Sequence, residues 1–522
     1  MRQVSWRWSQ GCRSGGGDEE GGAPIKGRIL SASIGALALV SLFAPGSFSA
    51  WVQLVAARFL DGFGGWTLFV SSACVVFCAA VLVAPHGRRL IGGEGAVPEF
   101  RLATWTAMMF AAGMGSGLVF WGAAEPVIHW LTPPPGEALT PRSAEARERA
   151  LALTQFNWAL HGWGVYAAAA IAIGLFMTRA GPILPSLPFT RLGPRARRAI
   201  DIAGLVAVLF GVVASLGQSV LLLGAGAEIV SGGGLPGGLG VQLVALLVIA
   251  AGYLGSAALG LRRGIAILSN VNAVVALVLA AWVLIAGPTG AILATAADSA
   301  AAYLSALPEL SVNLREGGKP RTWTNAWSLT YFLWWIAWTP FVGVFLARIS
   351  RGRSLRAFVL AAVVMPSLVT LAWFSILGGA AIEIQASGVD LGVRDFDTAP
   401  QATFRVLESY PLTRVFQIVA MALIAVFLVT SADSGAFVLA MFSEQKADPG
   451  VAARLYWGVV IAGLTAGAVL SQTGQDAMRA LAVAGAMPLT FILFGQGAAA
   501  TWRLWRGGRR VQPMSSDRSR PV

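Results

Sequence analysis

The sequence predicts an all-α polytopic membrane protein with 12 transmembrane helices, and three observations carry that prediction. Of its 522 residues, 56% are hydrophobic and only 12% are charged, far from the balance of a soluble chain of this length. The apolar residues fall into twelve runs, each long enough to cross about 30 Å of hydrocarbon at ~1.5 Å per residue. The basic residues alternate across those runs. More than two thirds of the 38 Lys and Arg lie in loops on the side of the N-terminal tail, as the positive-inside rule requires of cytoplasmic loops. That topology absorbs the formal net charge of +13, so nucleic acid is not an expected partner and the lipid bilayer is. Cys12, Cys74 and Cys78 stand in no disulfide or metal spacing and read as packing residues.

Taken in order, residues 1–28 form a polar, Gly-rich tail, expected to be cytoplasmic and without a cleavable signal pattern. The spans are expected at 29–46, 62–84, 103–124, 151–177, 202–230, 239–260, 264–287, 326–347, 357–383, 411–440, 455–473 and 478–500. An even number of crossings puts both termini in the cytoplasm of a protein of the cell (inner) membrane. Residues 288–325 form a long loop on the extracellular side, whose stretch ILATAADSAAAYLSAL reads as an interfacial amphipathic helix. Residues 384–410 form a second long outer loop, and 503–522 a short basic cytoplasmic tail.

The eighth span concentrates aromatic residues: WSLTYFLWWIAWTPFVGVF carries Trp334, Trp335 and Trp338, then Thr339-Pro340. Proline removes a backbone donor, so a break is expected there, tolerated in a membrane only where it is buried or lines a cavity. The third span, FAAGMGSGLVFWGAAEP, alternates Gly113, Gly115 and Gly117 and ends at Glu125-Pro126. Alternating glycines predict an unwound segment, against the alternative of a small-residue packing face. Interruptions at matching places in two halves point to a transporter with its site at the repeat interface, and that arrangement suits alternating occlusion better than a passive channel.

On the fourth span, Trp158, Trp163 and Tyr166 lie within about one helical face. They sit inside the span rather than at its ends, which suits a box with Trp335 more than an interfacial belt. Aromatic cages bind quaternary ammonium groups, which donate no hydrogen bonds. His161, in the same helix, reads as a hydrogen-bonded packing residue. On the tenth span, Phe427, Thr430 and Ser431 occupy one face, where a carbonyl and two hydroxyls can meet a small hard cation, or the hydroxyls can simply bond the preceding turn. No HExxH, no paired carboxylates in one span and no metal-spaced cluster point to an enzyme.

The stretches PEFRLATWTAMMFAAGMGSGLVFWGAAEPVIHW, FNWALHGWGVY, WWIAWTPFVGVFLARISRGRSLRAFV and LVTSADSGAF, in this order, resemble the betaine/choline/carnitine transporter family across nearly the whole chain. The resemblance implies a LeuT-like five-plus-five inverted repeat, with 29–100 as two peripheral helices, 101–287 as the first repeat and 326–502 as the second. It implies a homotrimer, and import of a quaternary ammonium compound such as glycine betaine or choline, coupled to Na+ or H+. A cation-independent exchanger is the alternative.

The implied substrate-binding residues are Trp158, Trp163, Tyr166 and Trp335 as the box. Trp334, Trp338, Met114, Gly113, Gly115, Ser215 and Phe341 complete that set. A sodium site is implied at Ala111, Met114, Phe427, Thr430 and Ser431, and no other cofactor. The second sodium site of some family members needs hydroxyls where this chain has Val208 and Val212. The exchangers place an arginine in the fifth span, and 202–230 contains none. The short tail at 503–522 implies weak or absent osmotic regulation.

Overall fold

A computed structural model describes residues 23–113, 115–178, 181–260, 262–315 and 317–506. The N-terminal tail up to residue 22, Met114 and the C-terminal tail from residue 507 lie outside the described residues.

Among the described residues every regular element is a helix, and the one bridge of β type joins Leu90 to Ser354. The first half comprises α1 (Ala23–Phe43), α2 (Pro45–Val83), α3 (Leu102–Gly113), α4 (Ser116–Leu131), α5 (Ala144–Trp158), α6 (Leu160–Phe176), α7 (Pro194–Val230), α8 (Leu239–Leu259) and α9 (Arg262–Ala286). After α10 (Thr289–Leu310) come α11 (Gly318–Thr324), a π turn at Asn325–Leu329 and α12 (Thr330–Ile349). A second π turn, Leu360–Val364, joins α13 (Leu355–Val359) to α14 (Met365–Ala386). The chain ends with α15 (Ala402–Glu408), α16 (Thr413–Glu444), α17 (Val451–Leu470) and α18 (Gln475–Arg506).

Among the described residues, eleven helices are long and apolar enough to cross a membrane. The run Ile29–Phe43 falls short of that length, and the third expected span is divided between α3 and α4. Helix α10, expected along the extracellular surface, does reach that length and apolarity.

Burial separates the core helices from those that meet lipid. The most apolar stretch of Ala144–Phe176 is 83% buried and that of Gly318–Ile349 is 78%, against 28% for Leu268–Ala286. Leu247 and Val248 on α8 and Val274 and Val278 on α9 are exposed. Such apolar surface is stable only against hydrocarbon. The protein is therefore a multi-pass membrane protein built around α6, α7 and α12, with α12 packed against α6, α7 and α18.

One break agrees with the sequence expectation, and three features differ from it. The unwound segment in the third span is present: α3 stops at Gly113 and α4 starts after Gly115, whose backbone is extended at φ −135° and ψ 174°. That helix does not end at Glu125-Pro126, however, but runs through Pro126 to Leu131, with the proline ring packed against Gly378. In the eighth span the expected break at Pro340 is absent, and α12 is continuous from Thr330 to Ile349. The carbonyl of Ile336, four residues before the proline, would lack its backbone donor. The Thr339 hydroxyl donates to it at 2.7 Å, so the helix keeps its ladder satisfied without unwinding. The break that sequence did not anticipate lies at Ala159, where φ −96° and ψ −115° separate α5 from α6.

Candidate functional site

The break at Ala159 decides how the aromatic residues meet. Trp158 is the last residue of α5, whereas Trp163 and Tyr166 belong to α6, so the three do not share the face of one helix as the spacing suggested. They converge instead because the chain turns between them. Trp335 of α12 stands among them, its ring centroid 5.9 Å from Trp158, 5.6 Å from Trp163 and 5.0 Å from Tyr166. All four rings are buried. A Cβ at Gly162 would fall inside the Trp335 indole, so glycine at this position is what lets α12 bring the ring this close.

The polar edges of the three indoles are fixed by separate partners. Trp163 Nε1 donates to Thr370 Oγ1 at 3.1 Å, and Trp335 Nε1 to the Asn157 carbonyl at 3.2 Å. That carbonyl lies just before the Ala159 break, where the regular helix partner is lost. Trp158 Nε1 donates to Glu125 Oε2 at 2.7 Å. With hydrogen bonds at the indole edges, the four rings meet edge to face, at interplanar angles of 56–86°, an arrangement that aromatic clusters favour.

A second face of α12 looks onto α7. Trp334, Trp338 and Phe341 recur at helical spacing and are half-buried within a helix that is otherwise buried along most of its length. Opposite them, Ser215 is the one residue between 207 and 220 that is not fully buried. Its hydroxyl accepts a hydrogen bond from Trp334 Nε1 at 3.0 Å. Partial exposure between two core helices marks a lane between them, and Trp338 and Phe341, 5.7 Å apart, extend it along α12. Ser219, one turn from Ser215, bonds Ser116 at 2.6 Å and so ties the start of α4 to α7.

Phe427, Thr430 and Ser431, the residues expected to face a cation, lie on α16. Thr430 Oγ1 lies 2.9 Å from the Val426 carbonyl and 3.1 Å from that of Phe427, its one proton shared between them, which is the bonding to the preceding turn that such residues commonly make. Ser431 follows it, half-buried. Met114 lies outside the described residues, and α3, which carries Ala111 and Gly113, ends at the latter. Val208 and Val212 are buried in α7, with Val212 against Gly435 of α16, so no side-chain oxygen enters from those positions. His161 Nε2 lies 3.2 Å from Ser72 Oγ and its ring stacks on Phe332, as a packing residue does.

Comparison with known proteins agrees with this architecture. The model of the BCCT, betaine/carnitine/choline family of transporters matches residues 29–509. The chain belongs to that family. The glycine betaine transporter OpuD of Bacillus subtilis (strain 168) is 37% identical to it over 478 residues, covering 89% of this chain and 91% of the relative. Glycine betaine transporter 1 of Vibrio parahaemolyticus is 35% identical over 84% of each chain. A glycine betaine/proline/choline/ectoine transporter of that organism is 34% identical over 83% of this chain and 78% of its own. As a member of the betaine/carnitine/choline family the chain is a transporter and not an enzyme. Three features central to its site carried no sequence signal. The break at Ala159 falls at an ordinary helix former, Glu125 looked like a helix end, and Ser219 beside Gln218 matched no motif.

Proposed function

We propose that this transporter imports glycine betaine or a close quaternary ammonium relative by alternating access, coupled to Na+ or H+. The observation that carries the reading is the meeting of Trp158, Trp163, Tyr166 and Trp335 within 5.0–5.9 Å of Trp335. A trimethylammonium group cannot be held by hydrogen bonds, and each desolvated ring face contributes about 2 kcal/mol to holding it. The family membership and the names of its relatives support the same substrate class. Met114, Gly113 and Gly115 at the break in the third span, together with Trp334 and Ser215, are the groups proposed to meet the rest of the substrate. Trp338 and Phe341 line the way out.

The ion is proposed to bind at Ala111, Met114, Phe427, Thr430 and Ser431, which offer hard oxygen donors of the kind Na+ takes. The apolar Val208 and Val212 favour coupling to one sodium, or to a proton, over two sodiums. The proposed assembly is a homotrimer in the cell membrane with both termini cytoplasmic and twelve crossings arranged as an inverted repeat, with α10 lying along the outer surface. Purified protein in proteoliposomes, given labelled glycine betaine, choline, carnitine and proline under a sodium gradient, a proton gradient or neither, tests the reading. Uphill uptake of a quaternary amine under one gradient supports it. Equilibration without accumulation would replace it with a passive path, and uptake driven only by substrate on the opposite side would replace it with exchange.

A further inference from the structure

Glu125 is fully buried in the interior of α4. An acidic side chain there is costly unless its oxygens are occupied. Both are: Oε1 accepts from Asn157 Nδ2 and Oε2 from Trp158 Nε1, each at 2.7 Å, and His129 Nε2 stands 3.4 Å from Oε1. The two donors are the last residues of α5 before the Ala159 break. Asn157 in turn offers its carbonyl to Trp335 Nε1 at 3.2 Å. One carboxyl group thereby holds Trp158 directly and Trp335 through a single intervening residue.

We infer that Glu125 is a positioning residue for the cation cage, fixing the planes of two of its four rings; this rests on the proposal that those rings receive a quaternary ammonium group. An indole has two side-chain torsions, and a short hydrogen bond at its one N–H restricts both. With its edge held by Glu125, Trp158 turns toward Tyr331 at 5.2 Å and Trp335 at 5.9 Å. On its other side the ring reaches Gly117, where a Cβ would lie 3.2 Å away. Glu125 meets Trp158 at its indole N–H. It acts by joining α4, beyond the glycine break, to α5 at its own break, so the two interrupted helices meet at the residue that aims the ring.

The replacement Glu125→Gln tests this, because an amide has one acceptor oxygen for two donors. In proteoliposomes, Glu125→Gln is expected to raise the KM for glycine betaine about tenfold, with the maximal rate within about twofold of wild type. Ultraviolet resonance Raman difference spectra between each protein and its Trp158→Phe counterpart report the hydrogen bond at the Trp158 indole N–H. They are expected to show that bond weakened by Glu125→Gln. In the Trp158→Phe background only one donor remains, so the added effect of Glu125→Gln on KM is expected to fall below about twofold.

An unchanged KM in Glu125→Gln, or the same penalty in both backgrounds, would overturn the inference. If Glu125→Gln fails to fold, Glu125→Asp, which keeps both acceptor oxygens but draws them back toward α4, is read by the same two measurements. Should the wild type take up no quaternary amine, the proposed function fails; the Raman arm still decides whether Glu125 sets the Trp158 ring.

Discussion

The hydroxyl of Thr339 donates to the carbonyl of Ile336 at 2.7 Å, the carbonyl to which Pro340 cannot donate. An interior proline commonly costs a helix about 3 kcal/mol or more, yet α12 passes through it without a break. Removing the hydroxyl by Thr339→Val leaves that buried carbonyl unpaired, at a cost of about 1–3 kcal/mol. The expected result is a lower midpoint of thermal unfolding in detergent. Pro340→Ala in the same background returns a backbone N–H and is expected to recover most of the loss, so the two changes are non-additive.

Trp335 is the ring that touches the other three. Its replacement by alanine is expected to weaken glycine betaine binding by about thirtyfold or more, the equivalent of ~2 kcal/mol for one desolvated ring face. Binding is read from quenching of the remaining tryptophans. An affinity equal to wild type would remove the cluster from substrate recognition.

Gly162 makes room for the Trp335 indole. Gly162→Ala is expected to push that ring out of its place and to cost about 1–3 kcal/mol of stability through overpacking. Uptake should fall with a raised KM even in protein that remains folded, because the displaced ring belongs to the cage. Size-exclusion profiles and uptake kinetics measured on one preparation separate the two effects.

Thr430 and Ser431 supply hydroxyl oxygens on α16. Thr430→Ala with Ser431→Ala is expected to raise the sodium concentration for half-maximal uptake by about tenfold or more, since two hard oxygen donors are removed from one cation. Uptake that never depends on sodium and follows a pH gradient would assign the coupling to a proton and leave these hydroxyls to their helix turn.

Much of the architecture was legible because it is written in composition and local pattern. Apolar runs locate the crossings, and alternating glycines predict the break beside Gly115. The Trp158, Trp163, Tyr166 and Trp335 cluster was also visible, although the geometry behind it was not. The spacing argument assumed one helix, whereas Ala159 interrupts it with a residue type that gives no warning. Pro340 misled in the opposite direction. Its missing donor is obvious in sequence, but the compensation by Thr339 depends on a side-chain rotamer. Glu125 was hidden for a third reason, since its partners Asn157 and Trp158 lie on another helix and become its neighbours only on folding.

The π turn at Asn325–Leu329 has a consequence for everything beyond it. A wide turn carries one residue more than an α-helix needs for the same hydrogen-bonded circuit. Because each residue advances a helix by about 100°, that single extra residue sets the azimuth of all of α12. Trp335 faces the cage, and Trp334, Trp338 and Phe341 face the lane, in the phase this turn imposes. Wound as a continuous α-helix through 325–329, the same sequence would swing both faces together by roughly a quarter revolution, turning Trp335 out of the cage without altering a single aromatic side chain.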